Sequence, residues 1–128
     1  MTIIHIVLFE FKSSASEAQV SEVHRAPYPV PPVHFLTAPQ ICDRMAGLPS
    51  ICVHPTTQKS YITSHGGGKD NSPENQAGGF THGFVCEFEN QKDRDYYLHE
   101  DPKHVQFVKD IGEHMANVRV VDYEKGVF

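Results

Sequence analysis

At 128 residues and a formal charge of −5, the chain fits one domain with a core large enough to need no disulfide staples. The acidic balance contains no run of like charge, so it offers no basic footprint for nucleic acid or anionic lipid, and neither is an expected partner. Three cysteines, Cys42, Cys52 and Cys86, form no CxxC pair, which suits a reducing cytoplasm better than secretion.

The first ten or so residues hold an apolar stretch too short for a membrane span, with no basic flank or small-residue cleavage site. They read as a strand and not as a leader. Within it His5 alternates with Val7, Phe9 and Phe11 on one face, while Ile4, Ile6 and Leu8 form the other. A strand apolar on both faces is covered on both sides. Ser13 to Val23 then offers serine caps and Val20/Val23 at helical spacing, which predicts a first helix.

Residues 24 to 40 hold five of the nine prolines, which forbids helix there. Helical character resumes at Ile41. With those seventeen residues removed, Val20, Val23, Ile41, Met45 and Leu48 fall at offsets 0, 3, 4, 8 and 11, one amphipathic stripe. The segment therefore reads as an insertion, either a proline-rich surface loop or a translated intron. Ile51 to Pro55 and Lys59 to Thr63 are β-prone, and a Gly-rich polar loop is expected over about 64–79. Its Gly68-Lys69 pair lacks the Ser/Thr of a phosphate-binding loop.

A second histidine strand, residues 80–88, places His82 on one face with Phe80, Phe84 and Phe88. Asn90 caps a helix to about Glu100, and Asp101-Pro102 opens another. On that helix His104, Phe107, Val108, Ile111 and Met115 recur at offsets 0, 3, 4, 7 and 11, so His104 begins an apolar stripe. Residues 118–123 read as the last strand. This order predicts an α+β, ferredoxin-like antiparallel sheet with helices on one face, whose other face a second copy would cover.

Nine histidines show no HxH, HxxxH or HExxH spacing, so no metal and no cofactor is expected. His24, His34, His65 and His114 read as solvent residues, His54 as a turn residue and His99 as a helix-end cation. His5, His82 and His104 remain on core-facing surfaces, with Tyr96 and Tyr97 on the helix that follows the second histidine strand, and these could line one cavity. A titratable cluster in apolar walls is the description of a small-molecule site.

The residues Ile4 to Lys12, the Phe80 to Phe88 strand, and Tyr97 followed by Asp101-Pro102-Lys103-His104-Val105-Gln106-Phe107 resemble the stress-responsive A/B barrel (Dabb) family. Cys52-Val53-His54-Pro55 and the Lys69 to Glu74 loop are similar to its small fungal members. The resemblance implies a dimeric α+β barrel spanning the whole chain, residues 24–40 being unmatched. Through the plant olivetolic acid cyclase it also implies His104 as a catalytic base with Tyr97 as its partner, and His5 and His82 as substrate-binding residues. The ligand would be small and hydrophobic or polyketide-like. The Tyr97 to His104 spacing is one residue longer than in that enzyme, and Asp101-Pro102 replaces its His-Pro. Three functions stay open: a non-catalytic stress-associated homodimer with structural histidines, a cofactor-independent cyclase or lyase performing an intramolecular aldol closure, and an oxidative or haem-related barrel enzyme.

Overall fold

Strand β1 (Ile3–Phe11) is apolar on both faces because it lies inside the sheet. It pairs antiparallel with β3 (His82–Phe88) on one side and β4 (Met115–Glu124) on the other, and β2 (Ile62–Lys69) lies beyond β3, giving the order β2-β3-β1-β4. The computed structural model describes residues 1–15 and 36–128. Among them are three α-helices, α1 (Ala38–Ile51), α2 (Gln91–His99) and α3 (Pro102–Ile111). Helix and strand order together make the ferredoxin-like arrangement that the sequence predicts.

The core lies between the helices and one sheet face. Ile3, Val7, Phe9, Phe84, Cys86 and Phe88 project from the strands to meet Ile41, Met45, Leu48, Tyr97, Phe107 and Ile111 from the helices. Val108, expected on the same stripe, is about half exposed, and Met115 belongs to β4. The opposite sheet face contributes nothing to this cluster: Ile6 and Leu8 are half-buried, and Val85, Val121 and Tyr123 are exposed.

Each helix begins on a side-chain cap. Thr37 Oγ1 accepts from the Gln40 N–H while Gln40 Oε1 accepts from the Thr37 N–H, a capping box with Pro39 in the first turn where it costs no hydrogen bond. This start lies inside the segment expected to be an insertion, so Ala38 to Gln40 belong to α1. The rest of that segment to residue 35, the expected helix through Val20 and Val23, and His24 and His34 lie outside the described residues. Asn90 caps α2 and Asp101 caps α3, as expected.

Two expectations are corrected, one of a strand and one of a loop. Helix α1 continues to Ile51, and Val53 forms only a single bridge with Ser60. The Gly-rich stretch is not all loop, since Ser64 to Lys69 continue β2 against β3. Gly67 is required there: a Cβ would collide with the Phe84 ring and come within 2.8 Å of the Gly83 carbonyl oxygen. Phe84 is buried, so the ring cannot swing away without opening the core. Gly67→Ala should therefore lower stability by about 1–3 kcal/mol in urea unfolding, whereas Gly68→Ala, with open space at its Cβ position, should cost less than about 1 kcal/mol.

Candidate functional site

The strand register lines four residues across the helix-facing side of the sheet: His65 of β2, Cys86 of β3, His5 of β1 and Asp122 of β4. His5 is buried, and the Asp122 carboxylate accepts a 2.6 Å hydrogen bond from its Nδ1. Asp122 accepts a second bond, at 3.0 Å, from Arg94 of α2. Arg94 and His5 occupy separate oxygens of the carboxylate, which accepts from both, so Nδ1 of His5 is turned to Asp122 and Nε2 away from it.

Tyr97, from the last turn of α2, lies above this row with its ring centroid 6.0 Å from that of His5. His104, in the first turn of α3, stacks on Tyr97 at 3.9 Å and 31°. Tyr97 is fully buried and His104 nearly so, yet Tyr97 Oη and His104 Nδ1 have no hydrogen-bond partner in the protein. Burial, together with nearby thiols and Asp101, pushes the Tyr97 hydroxyl well above the ordinary tyrosine range. Burial and then His5 push His104 down to about 4, against a hydrogen bond to the Tyr97 carbonyl and the charge of Asp101, which favour the protonated ring. At neutral pH the pair is thus a neutral imidazole with a free ring nitrogen beside a protonated phenol.

Asp101 closes the cluster from below. Its carboxylate accepts from Tyr61 Oη at 2.6 Å and from the Lys103 N–H at 3.0 Å, and its own N–H donates to the Tyr96 carbonyl. The Cys52 thiol also reaches this carboxylate, and burial followed by Asp101 pushes it up to about 12.

His82 stands apart. It pairs with Phe9, four residues along β1 from His5, a separation of roughly 13 Å. Its Nδ1 lies 2.8 Å from Thr81 Oγ1 and its ring sits edge-on to Phe11. It lines an open cavity of about 430 Å³ with Cys42, Asp43, Ala46, His65, Gly66 to Gly68 and Phe84. A neighbouring cavity of about 550 Å³ adds Ala38, Pro39 and Lys69. Burial and the Lys69 charge hold His82 below the usual histidine range. The structure therefore brings His5, Tyr97 and His104 together and leaves His82 at the open end of the same sheet face.

His65 is corrected. It lies in β2, half-buried, with its Nε2 buried and without a protein partner, and burial lowers its pKa. His114 is likewise buried, not exposed. His54 is the expected turn residue, its Nδ1 facing the N–H groups of Thr56 and Thr57. Among the described residues no group of three His, Cys, Asp or Glu side chains is placed to hold a metal ion, and no helix is long and apolar enough to cross a membrane.

The sequence model for the stress responsive A/B barrel domain matches residues 3–125. The chain belongs to that family. Its fold is similar to a protein of Arabidopsis thaliana (24% identity, TM-score 0.65, covering 98% of this chain and 97% of that one). It is also similar to a hydroxynitrile lyase from Passiflora edulis (21% identity, TM-score 0.69, 99% and 96%). A third is a dimeric ferredoxin-like protein of unknown function from Jannaschia sp. CCS1 (18% identity, TM-score 0.63, 97% and 99%). No curated protein sequence matches.

The buried neutral state of His104 has a consequence for stability. Its folded pKa lies below the unfolded value of 6.5, so between the two the unfolded chain binds the proton and the folded chain does not. Its contribution is complete above about pH 6.5 and falls by about 1.4 kcal/mol per pH unit toward pH 4. The stability difference between wild type and His104→Gln should therefore shrink across that window in urea titrations; a pH-independent difference would contradict a buried neutral imidazole.

Proposed function

We propose that this A/B barrel protein binds a small carbonyl compound between helices and sheet and moves a proton on it, as a cofactor-independent lyase or cyclase does. The observation that carries this reading is the pair of buried, stacked rings whose Tyr97 Oη and His104 Nδ1 have no protein partner. Such atoms cost about 1–3 kcal/mol each when left unpaired, and a merely structural pair would be expected to satisfy them.

In this role His104 Nδ1 takes a proton from the carbon beside the carbonyl, or from a hydroxyl, and the electron pair makes or breaks the adjacent carbon–carbon bond. Tyr97 Oη donates to the substrate oxygen, and the imidazolium returns the proton to the product or leaving group. His5, held by Asp122, keeps Nε2 as an acceptor for a substrate hydroxyl. His82 and His65 would bind the far end of a ligand extended along the sheet, where Phe84 and Ala46 give apolar walls. An elongated poly-β-keto chain has this reach, and the likeness to a hydroxynitrile lyase supports carbon–carbon lyase chemistry on the same fold.

The test uses mandelonitrile and a linear 3,5,7-trioxo thioester. Turnover or saturable binding of either is expected, lost at least 100-fold in kcat/KM in Tyr97→Phe and His104→Gln. Tyr97→Phe removes an unpartnered hydroxyl, so its Tm should equal or exceed wild type. Neither turnover nor binding with either probe would refute the reading, as would full activity in both variants.

The working unit in this reading is a homodimer joined through the outer sheet face. Support comes from the exposed Val85, Val121 and Tyr123 on that face and from the dimeric state of the Jannaschia protein. The three free cysteines support a cytoplasmic location. A Val121→Glu substitution places a charge at the centre of such an interface and should convert dimer to monomer by sedimentation at micromolar concentration, whereas an unchanged dimer would place the interface elsewhere.

A further inference from the structure

A base whose pKa has been pushed to about 4 takes protons reluctantly, so the proposed chemistry needs a group that stabilises the imidazolium once it forms. Among the described residues the groups facing His104 are few. On β1 stands His5, whose cationic form opposes it, and Asp122 beyond His5 is already neutralised by Arg94. On α2 stands Tyr97, uncharged at neutral pH. At the end of α1 stands Cys52, whose thiol stays protonated and which faces the His104 backbone N–H. On α3 itself stands Asp101, three residues before His104 and therefore its neighbour on the helix surface.

Asp101 is the unusual member. It is 1% exposed, yet among the described residues no cation pairs with it. Tyr61 Oη, the Lys103 N–H and the Cys52 thiol supply hydrogen bonds instead. An N-cap needs no charge, because asparagine or serine caps equally well, and burying a carboxylate without a cation is costly. Capping alone does not account for it.

We propose that Asp101 is a positioning residue for the base: it fixes the first turn of α3 so that His104 stacks on Tyr97, and its carboxylate compensates the positive charge that His104 acquires on taking a proton. Tyr61, just before β2, and Cys52, at the end of α1, hold that carboxylate in place, so the counter-charge costs no reorganisation when the proton moves. This rests on His104 being the proton acceptor, but its test needs no substrate.

The experiment follows the His104 Cε1–H resonance by NMR in the full chain without added ligand. In wild type the ring should titrate below the ordinary histidine range, and its midpoint is the reference. In Asp101→Asn, which keeps the cap, the midpoint should fall by about one unit; Asp101→Ser serves equally if the asparagine variant folds poorly. Tyr61→Phe keeps the carboxylate and should leave the midpoint no lower than wild type. A midpoint within 0.3 unit of wild type in folded Asp101→Asn or Asp101→Ser would overturn the proposal. So would a drop in Tyr61→Phe equal to that in Asp101→Asn, since packing rather than charge would then be responsible. If mandelonitrile is turned over, Asp101→Asn should lower kcat at least tenfold with KM within about twofold. Failure of every substrate probe would refute the proposed reaction and leave the titration result standing.

Discussion

The Asp101 carboxylate is the interaction on which the architecture of the site depends. Asp101 joins the end of α2 to the start of α3, its backbone N–H donating to the Tyr96 carbonyl and its carboxylate accepting from the Lys103 N–H. It joins both to the strand layer through Tyr61. Pro102 can open α3 only because its missing donor would be an unpaired group there in any case. The angle between two helices, and with it the stacking of Tyr97 on His104, therefore hangs on one buried acid. A side chain of the same charge on a longer stem would not reach the same donors.

The sheet supplies the complementary constraint. A strand places alternate residues on one face, so the antiparallel register that pairs Ile3 with Phe88 also sets His5 beside Cys86 and Asp122. Arg94 reaches the Asp122 carboxylate from α2, and two elements distant in sequence thereby fix one imidazole. This ion pair is partly buried on both sides, which lets it orient His5 rather than merely decorate the surface.

Much of this was legible before the fold was known, and the gaps have physical causes. Period-two apolarity located β1 and β3, and the Asn90 and Asp101 caps located α2 and α3, because those signals are local. The pairing of Tyr97 with His104 rested on the family resemblance, since their stacking depends on how two consecutive helices are set against each other. The Ser64 to Lys69 strand was hidden because glycine carries no β-propensity, and only the Phe84 ring pressed on Gly67 explains why the run is tolerated there. His65 was misplaced with it. Asp122 left a trace, an acid interrupting the apolar run of β4, but its partner His5 is 117 positions away, and register alone reveals such pairs. His82 looked equivalent to His5 because both lie in apolar strands; the four-residue offset between them is likewise a property of register.

Stability and chemistry pull in opposite directions at this site. Tyr97 Oη, His104 Nδ1 and His65 Nε2 are three buried polar atoms without protein partners, in a domain whose whole stability is expected to be on the order of 5–15 kcal/mol. Each could be removed by a single substitution to phenylalanine at little cost in volume. All three lie on the helix-facing side of one sheet, and none is on the opposite face. Departures from local polar satisfaction gather where a fold serves something other than its own stability. The same side also holds the open cavity over Phe84 and His65. A ligand lying there would meet His65, whose Nε2 the protein itself leaves unpaired, while Tyr97 and His104 lie outside the lining of that cavity; for the atom it reaches, an unfavourable term of the free chain would become a favourable one on binding.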